Sequence, residues 1–151
     1  NCEGKIPAHG DFTADDKALL NKAQVVMLAA VRSELDEQKF HRALETVMGV
    51  VNDGNAYIDV QAPWALKKTD LARMGTVLYV LAEVIRCLAL VMQPVTPVSA
   101  AKMLDQVAVA ENARSFAFLD AKHALKSGTQ LPAPQGIFPR ILDEKQQAAV
   151  G

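Results

Sequence analysis

Aromatic residues are scarce in this sequence. They make up 5% of the 151 residues, whereas hydrophobic residues as a whole make up 50%. The core must therefore be built from alanine, leucine, valine, isoleucine and methionine, which are typical of packed helices rather than of strands. A chain of this length is one domain's worth and can bury roughly two thirds of the surface of its unfolded form. The composition thus predicts an all-α fold that needs no covalent or metal cross-link.

Cysteine is also scarce, and long uninterrupted apolar runs are missing. Cys2 and Cys87 are far apart in the sequence, and neither has a second cysteine or a histidine at a ligand spacing. We expect two free thiols in a reducing cytosol. The longest apolar stretch, residues 74–92, is interrupted by Glu83 and Arg86, which argues against a membrane span or anchor.

Neither sign of charge is in excess. The 16 Lys and Arg against 17 Asp and Glu give a formal net charge of −1. This balance is not the basic footprint of a protein that holds nucleic acid by its overall field. Any contact with RNA must therefore be local.

No catalytic or metal-binding constellation is visible. The sequence has no glycine-rich phosphate loop, no Cys/His cluster at metal-ligand spacing and no evident Ser–His–Asp set. We assign no role to the three histidines, His9, His41 and His123. The first residue is Asn1 rather than methionine, so we expect the chain to be a piece of a longer protein.

Apolar residues at three- and four-residue steps predict two helices in the first half of the chain. The first is predicted to begin at Thr13, which forms a capping box with Asp16, and to run to about Leu35. The second begins near Phe40 and ends at Pro63, because proline cannot continue the helical hydrogen bonds. Its predicted apolar stripe consists of Phe40, Leu44, Val47, Val51 and Ile58.

Two more helices are predicted in the second half. Thr69 is the expected N-cap of a long helix that Pro94 breaks. Thr96 and Pro97 then open a helix that runs to about Val107. The long helix carries the strongest apolar stripe of the chain, at Leu71, Met74, Leu78, Leu81, Ile85, Leu88 and Met92.

Three parts of the chain are predicted. Residues 1–12 form an extended lead-in, residues 13–110 a helical bundle, and residues 111–151 a C-terminal segment with an irregular tail. The tail holds apolar residues that need a surface on which to pack, so we expect it to pack back on the bundle or on a partner. These residues are Ile137, Phe138, Ile141 and Leu142.

The segment NAYIDVQAPWALKK, residues 55–68, is the most informative. Its Trp64 is the single tryptophan, comes directly after the helix-stopping Pro63, and precedes Lys67 and Lys68. An aromatic ring beside positive charges is a platform on which single-stranded RNA bases stack. A tryptophan that anchors the core between helices is the more common alternative when the residues are considered alone.

This segment resembles the signature of the anticodon-binding domain of methionyl-tRNA synthetases. The stretches GDFTADD, LYVLAEVIRCLALVMQPVTP and GIFPRI surround it in the order of that family. The likeness extends from the lead-in to about Leu142. It implies the C-terminal anticodon-binding domain of a bacterial enzyme: a bundle of four or five helices with an extended C-terminal tail that folds back toward the catalytic domain.

The resemblance also implies roles for individual residues. Pro63 and Trp64 would form part of the pocket for the CAU anticodon, with the tryptophan stacked on the first anticodon base. Asn55, Tyr57 and Asp59 belong to the same signature. They would either contact bases or form a polar rim that fixes the helix end and shapes the pocket.

Three basic residues are candidates for contacts with backbone phosphates. They are Lys67, Lys68 and Arg73, and a solvated charged face is the alternative for each. The family also uses an asparagine and an arginine on a helix that precedes the lead-in and that this chain lacks. Without it, polar base-specific contacts would be lost while stacking remained.

The resemblance implies the partners and cofactors as well. The partners are the anticodon loop of tRNA(Met) and the catalytic domain of the same polypeptide, and neither DNA nor a membrane is expected. ATP, with zinc as a further candidate, belongs to the catalytic domain, which this chain lacks. The parent protein would be a cytoplasmic ligase, and this chain alone should be inactive. Two rival hypotheses are a helical protein-interaction module, with Trp64 as its anchor, and an inert bundle that binds no RNA by itself.

Overall fold

Helices dominate the computed structural model, which describes residues 3–138. Helix α1 consists of Ala14–Asn21, a π-helical turn at Lys22–Val26, and Met27–Asp36, without a break. Four further helices follow in that part of the chain: α2 (Phe40–Gln61), α3 (Pro63–Thr69), α4 (Leu71–Met92) and α5 (Pro97–Gln106). Short 3₁₀ turns lie at Glu111–Ala113, Phe116–Phe118 and Ala121–His123. The predicted all-α bundle of four or five helices is confirmed.

Helix α1 starts with the predicted capping box. The Thr13 hydroxyl accepts a hydrogen bond from the Asp16 backbone N–H, and the Asp16 carboxylate accepts one from Thr13 N at 3.0 Å. The π-helical turn inserts an extra residue into the helical repeat. After this turn, Met27 and Val31 face the core at a four-residue step, and Ala30 is only half-buried.

The buried face of helix α2 matches the predicted stripe only in part: Val47 is buried, and Val51 and Ile58 are half-buried. Phe40 is 65% exposed and Leu44 is also exposed, while the buried residues are Ala43, Val47, Val50 and Tyr57. Apolar residues lie on both sides of this helix, so hydrophobicity alone does not fix its orientation. A buried polar partner for Tyr57, described below, selects the observed face.

The junction between α3 and α4 also differs from the prediction. Thr69 is the last residue of α3 rather than a cap. The N-cap of α4 is Asp70, whose carboxylate accepts a hydrogen bond from Arg73 N at 2.9 Å. The short helix that begins at Pro63 uses the residues that would otherwise form a loop before α4, and so moves the cap by one position.

Helix α4 is the central helix and packs against the other four. By length and composition it could cross a membrane, with a mean hydropathy of 1.9 over its most apolar window, but 72% of that window is buried inside the bundle. Its apolar character is thus accounted for by the core. Cys87 is a fully buried free thiol, as predicted, and burial together with the charge of Glu83 raises its pKa. Cys2 lies outside the described residues.

The lead-in rests directly on α4. An added Cβ at Gly75 would lie 2.9 Å from the carbonyl oxygen of Ala8, so no side chain fits between them. Farther along, Gly10 N donates to the Thr76 hydroxyl at 2.9 Å.

The two charged residues that interrupt the apolar run of α4 form a buried ion pair. Glu83 and Arg86 are almost wholly buried, and Arg86 Nη2 lies 2.6 Å from Glu83 Oε1. The arginine also donates to the carbonyl oxygens of Phe118 at 2.7 Å and Asp120 at 3.2 Å. The pair therefore holds the 3₁₀ turns against the helix.

The carboxylate of Glu83 completes this attachment. It accepts hydrogen bonds from Leu125 N at 3.0 Å and from Gln24 Nε2 at 2.9 Å. The C-terminal segment then pairs with the lead-in, where Ile6 N donates to Thr129 O at 2.9 Å and Gly128 N donates to Ile6 O at 2.8 Å. Residues 111–131 are thus fixed by polar contacts as well as by apolar ones.

The tail was expected to bury its apolar residues. Phe138 is 72% exposed, so the expected packing of this side chain on the bundle is not observed. Residues 132–136 are all exposed as well. Ile137 is half-buried, and Ile141 and Leu142 lie outside the described residues.

Replacing Arg86 by methionine tests the buried pair. The change leaves the Glu83 carboxylate buried without its cation, so we expect the free energy of unfolding in urea to fall by about 3–5 kcal/mol. The matched control is Arg42→Met, which removes an exposed pair with Glu45 of the same three-residue spacing and should cost less than about 1 kcal/mol. Equal losses for the two variants would contradict a structural role of the buried pair.

Candidate functional site

The predicted RNA platform lies where α2 turns into α3. The two helices meet at the elbow, which we define as residues 61–64. Ala62 adopts a left-handed conformation with φ 44°, and Pro63 occupies the first turn of α3. Pro63 is buried and Trp64 is 59% exposed. The elbow therefore directs the proline into the bundle and the tryptophan toward solvent.

Both predicted lysines lie on α3 with the tryptophan. Lys67 and Lys68 are three and four residues beyond Trp64, a spacing that places side chains on one face of a helix. Both are exposed, and neither forms an ion pair with any residue between 3 and 138. The short helix thus presents an aromatic ring and two positive charges on one side.

The structure separates the other signature residues. Asn55 and Asp59 are one helical turn apart on α2 and both are exposed, so they share a solvent-facing stripe. Tyr57 lies on the opposite side, is buried, and donates its hydroxyl to Asp16 Oδ1 at 2.7 Å. A direct contact of Tyr57 with a base is therefore not supported, because its polar atom is already bonded inside the bundle.

Arg73 does not extend into solvent as a free phosphate ligand would. Its Nη1 and Nη2 donate to the two carboxylate oxygens of Asp16 at 2.5 and 2.8 Å. Nη2 also donates to Gln61 Oε1 at 2.6 Å. The expectation that Arg73 contacts a backbone phosphate is corrected accordingly: its guanidinium joins α4 to α1 and to the end of α2.

Asp16 is the centre of this network and is 0% exposed. Burial by itself would raise the pKa of this carboxyl, but hydrogen bonds from Arg73, Tyr57 and Thr13 and the positive charge of Arg73 hold the pKa well below its usual range. Burial of Tyr57, together with its hydrogen bond to Asp16 and the negative charge of Asp16, raises the pKa of the tyrosine hydroxyl. The site is therefore built on a buried acid that is ionised at neutral pH.

A concave surface adjoins the elbow. A cavity of about 400 Å³ between α1 and α2 is lined by nine residues. The ion pair between Lys22 and Asp53 forms part of its wall. Its lining residues are Asp15, Ala18, Leu19, Lys22, Asp53, Ala56, Tyr57, Val60 and Gln61.

The sequence analysis did not identify two residues as members of this network. Asp16 was recognised as a cap, but nothing in a linear pattern shows that its carboxylate is buried. Gln61 carried no signal of its own beyond its place next to Ala62 and Pro63. For metal binding, no group of three or more histidine, cysteine or acidic side chains is gathered at one place within residues 3–138.

A protein-family comparison matches this arrangement to a known domain. Residues 6–150 match the model described as the anticodon binding domain of methionyl tRNA ligase. The chain belongs to this family. The predicted resemblance, made on residues 55–68 and their surroundings, is thereby confirmed.

Relatives and solved structures agree with the assignment of this anticodon-binding domain. The methionine–tRNA ligase of Brucella suis biovar 1 is 48% identical over 147 residues, which are 97% of this chain and 28% of that protein. The methionine–tRNA ligase of Mycobacterium tuberculosis is 45% identical over 144 residues, 93% of this chain and 27% of that protein.

The apo structure of the Mycobacterium tuberculosis methionyl-tRNA synthetase superposes with a TM-score of 0.89 at 44% identity, and covers 95% of this chain and 29% of that one. A complex of the same enzyme with methionyl-adenylate gives a TM-score of 0.86 at 45% identity, over 91% and 27% of the two chains. The anticodon-binding domain thus spans just over a quarter of the length of the relatives it matches.

The buried acid of the anticodon-binding domain predicts a specific pH dependence. Because the pKa of Asp16 is lower in the folded domain than in the unfolded chain, its contribution is fully present above about pH 4–5 and is lost as the pH falls toward the folded pKa. Asp16→Asn should therefore be less stable than the wild type at pH 7, by about 1–3 kcal/mol. The difference should shrink as the pH is lowered to 2.5.

The measurement is urea unfolding at several pH values between 7 and 2.5. Asp15→Asn is the matched control, since this neighbouring acid is exposed on the same turn, and it should change stability little throughout. A stability difference between Asp16→Asn and the wild type that stays constant over this range would contradict the proposed ionisation.

Proposed function

We propose that this domain binds the anticodon loop of methionine tRNA, with Trp64 stacked on a base of the CAU anticodon. The observation that carries the proposal is the 59% exposure of the single tryptophan on a helix that begins with a buried proline. A core anchor would hide its ring, whereas a stacking platform must present it. The exposure therefore supports the platform over the core anchor.

The charges on α3 supply the second part of the proposal. The domain as a whole carries a formal net charge of −1, so attraction to RNA has to come from a local set of cations. Lys67 and Lys68 lie on the tryptophan's side of α3 and would meet the phosphates that flank the stacked base. Binding should accordingly weaken as salt concentration rises.

Asn55 and Asp59 complete the proposed surface. Their exposed amide and carboxylate can exchange hydrogen bonds with base edges, which stacking alone does not discriminate. Tyr57 and Pro63 are buried, so in this proposal they shape the surface instead of contacting RNA through polar atoms. Arg73 has the same supporting role.

The relatives support a proposal for the activity of the whole protein. We assign the chain to a cytoplasmic methionine–tRNA ligase that joins methionine to its tRNA with ATP, in which this domain recognises the anticodon and another part of the polypeptide performs the chemistry. The chain covers 27–28% of relatives with that name. A solved relative binds methionyl-adenylate, which is the intermediate expected of such a reaction.

A protein-binding surface is the second candidate. Val60 and Leu71 are exposed apolar residues close in sequence to Trp64, and such residues also suit a protein partner. A competition experiment distinguishes the two functions. If the surface serves only a protein partner, a CAU stem-loop should not displace that partner.

Replacing Trp64 by alanine in the full-length ligase tests the main proposal. The change removes one base–aromatic stack, so we expect tRNA binding to weaken by about 1–3 kcal/mol, measured by filter binding or anisotropy at fixed salt. The melting temperature should stay nearly unchanged, because the ring is more exposed than buried. Trp64→Phe, which keeps an aromatic face, should lose less affinity.

The matched control for this test is Phe40→Ala. Phe40 is a similarly exposed aromatic residue, 65% accessible, at the opposite end of α2 from the elbow. It should leave tRNA affinity unchanged. A Trp64→Ala protein that unfolds more easily, yet binds the CAU loop normally once folded, would refute the platform and restore the core-anchor alternative.

The 151-residue chain should be catalytically silent. It encodes none of the motifs for nucleotide binding, so we expect no exchange of pyrophosphate into ATP in the presence of methionine. The full-length ligase is the positive control. Methionine-dependent exchange by the purified chain would contradict the division of labour between domains.

A further inference from the structure

The elbow that presents Trp64 contains a strained residue. Ala62 has φ 44° and ψ 61°, a left-handed conformation that residues with a Cβ seldom adopt. Its backbone N–H still donates to Ile58 O at 3.0 Å. Strain of this kind persists only where neighbouring groups hold the backbone in place.

The neighbouring group is the side chain of Gln61. Its Oε1 accepts a hydrogen bond from Arg73 Nη2 at 2.6 Å, and the same nitrogen donates to Asp16 Oδ1 at 2.8 Å. A guanidinium Nη carries two hydrogens, so each has one acceptor. The last residue of α2 is thereby tied to an arginine that a buried acid holds in place.

From this geometry we infer that Arg73, anchored by Asp16, is a positioning residue for Trp64, with Gln61 as the link between them. The inference rests on the proposed function, because positioning matters only if the ring receives a base. The ion pair would join α1 to α4 without Gln61. The additional bond connects that rigid pair to the residue three positions before the platform.

Fixing the ring before RNA arrives favours binding. A side chain and a backbone turn that are already ordered lose less conformational freedom when the base stacks. Loosening one such ordered group weakens binding about 2- to 10-fold, even though no RNA-contacting group is removed.

Two substitutions at Gln61 isolate the link. Gln61→Met keeps the length of the side chain but has no amide oxygen to accept from Arg73, whereas Gln61→Glu restores an acceptor. Trp64 is the only tryptophan of the 151-residue chain, so its fluorescence reports on the elbow alone. Time-resolved anisotropy measures its nanosecond motion in the absence of RNA.

We expect Gln61→Met to increase the amplitude of the fast motion of Trp64 and Gln61→Glu to return it to the wild-type value. Both variants should keep the wild-type melting temperature within a few degrees, since the ion pair of Asp16 and Arg73 is intact. In the full-length ligase, Gln61→Met should weaken tRNA binding about 2- to 10-fold. Unchanged motion of Trp64 in Gln61→Met would overturn the inference.

Arg73→Lys provides an independent check. Lysine keeps a positive charge opposite Asp16, but its single nitrogen cannot reproduce the two-sided contact with the carboxylate and Gln61. It should loosen Trp64 as Gln61→Met does, and the double variant should be no looser than either single one. Additive effects of the two changes on Trp64 motion would show that they act separately and would overturn the link.

The outcomes also separate this inference from the proposed function. Weaker tRNA binding by Gln61→Met with unchanged motion of Trp64 would mean that Gln61 touches RNA itself, which contradicts positioning. If Trp64→Ala leaves tRNA binding intact, the proposed function fails whatever the motion of the ring. The measurement on the free chain tests the mechanical link in either case.

Discussion

The bundle depends on the satisfaction of one buried carboxylate. Asp16 has no contact with solvent, and an ionised acid in that position is tolerated only when donors surround it. Its donors come from three helices: Thr13 at the start of α1, Tyr57 on α2 and Arg73 on α4. Meeting this requirement fixes the rotation of α2 and the position of the first turn of α4, and with them the direction in which the elbow points.

Two buried acid–arginine pairs hold different parts of the domain together. The first pair links Asp16 on α1 to Arg73 in the first turn of α4, while Glu83 and Arg86 both lie in the second half of α4. The first pair joins helices, and the second attaches the irregular segment after α5, which also places Leu119 in the core. An entirely apolar α4 would bury as much area. Both attachments would then depend on apolar contacts, which have no preferred geometry.

The sequence predicted features that depend on neighbours along the chain and failed where distant partners decide. The capping box of Thr13 and the stop at Pro63 follow from local backbone chemistry. The buried face of α2 does not, because it is selected by the acceptor that Asp16 offers to Tyr57. Within the candidate site, the family signature located Trp64, but only the folded chain distinguishes exposed Asn55 and Asp59 from buried Tyr57. The involvement of Arg73 was misread for the same reason, since its partner lies 57 residues away.

The contact at Gly75 has a consequence for how the lead-in is attached. The carbonyl of Ala8 meets the backbone of α4 with no side chain between them, so the attachment has no rotamers through which to relax. Main-chain atoms packed this closely leave little room for the lead-in to shift relative to the helix. Gly75 lies two residues from Arg73, so a displacement of the lead-in would also displace the helical turn that carries this arginine. A methyl group at position 75 would push the lead-in away from the helix, so that the two would no longer move together. The ion pairs of α4 could still form.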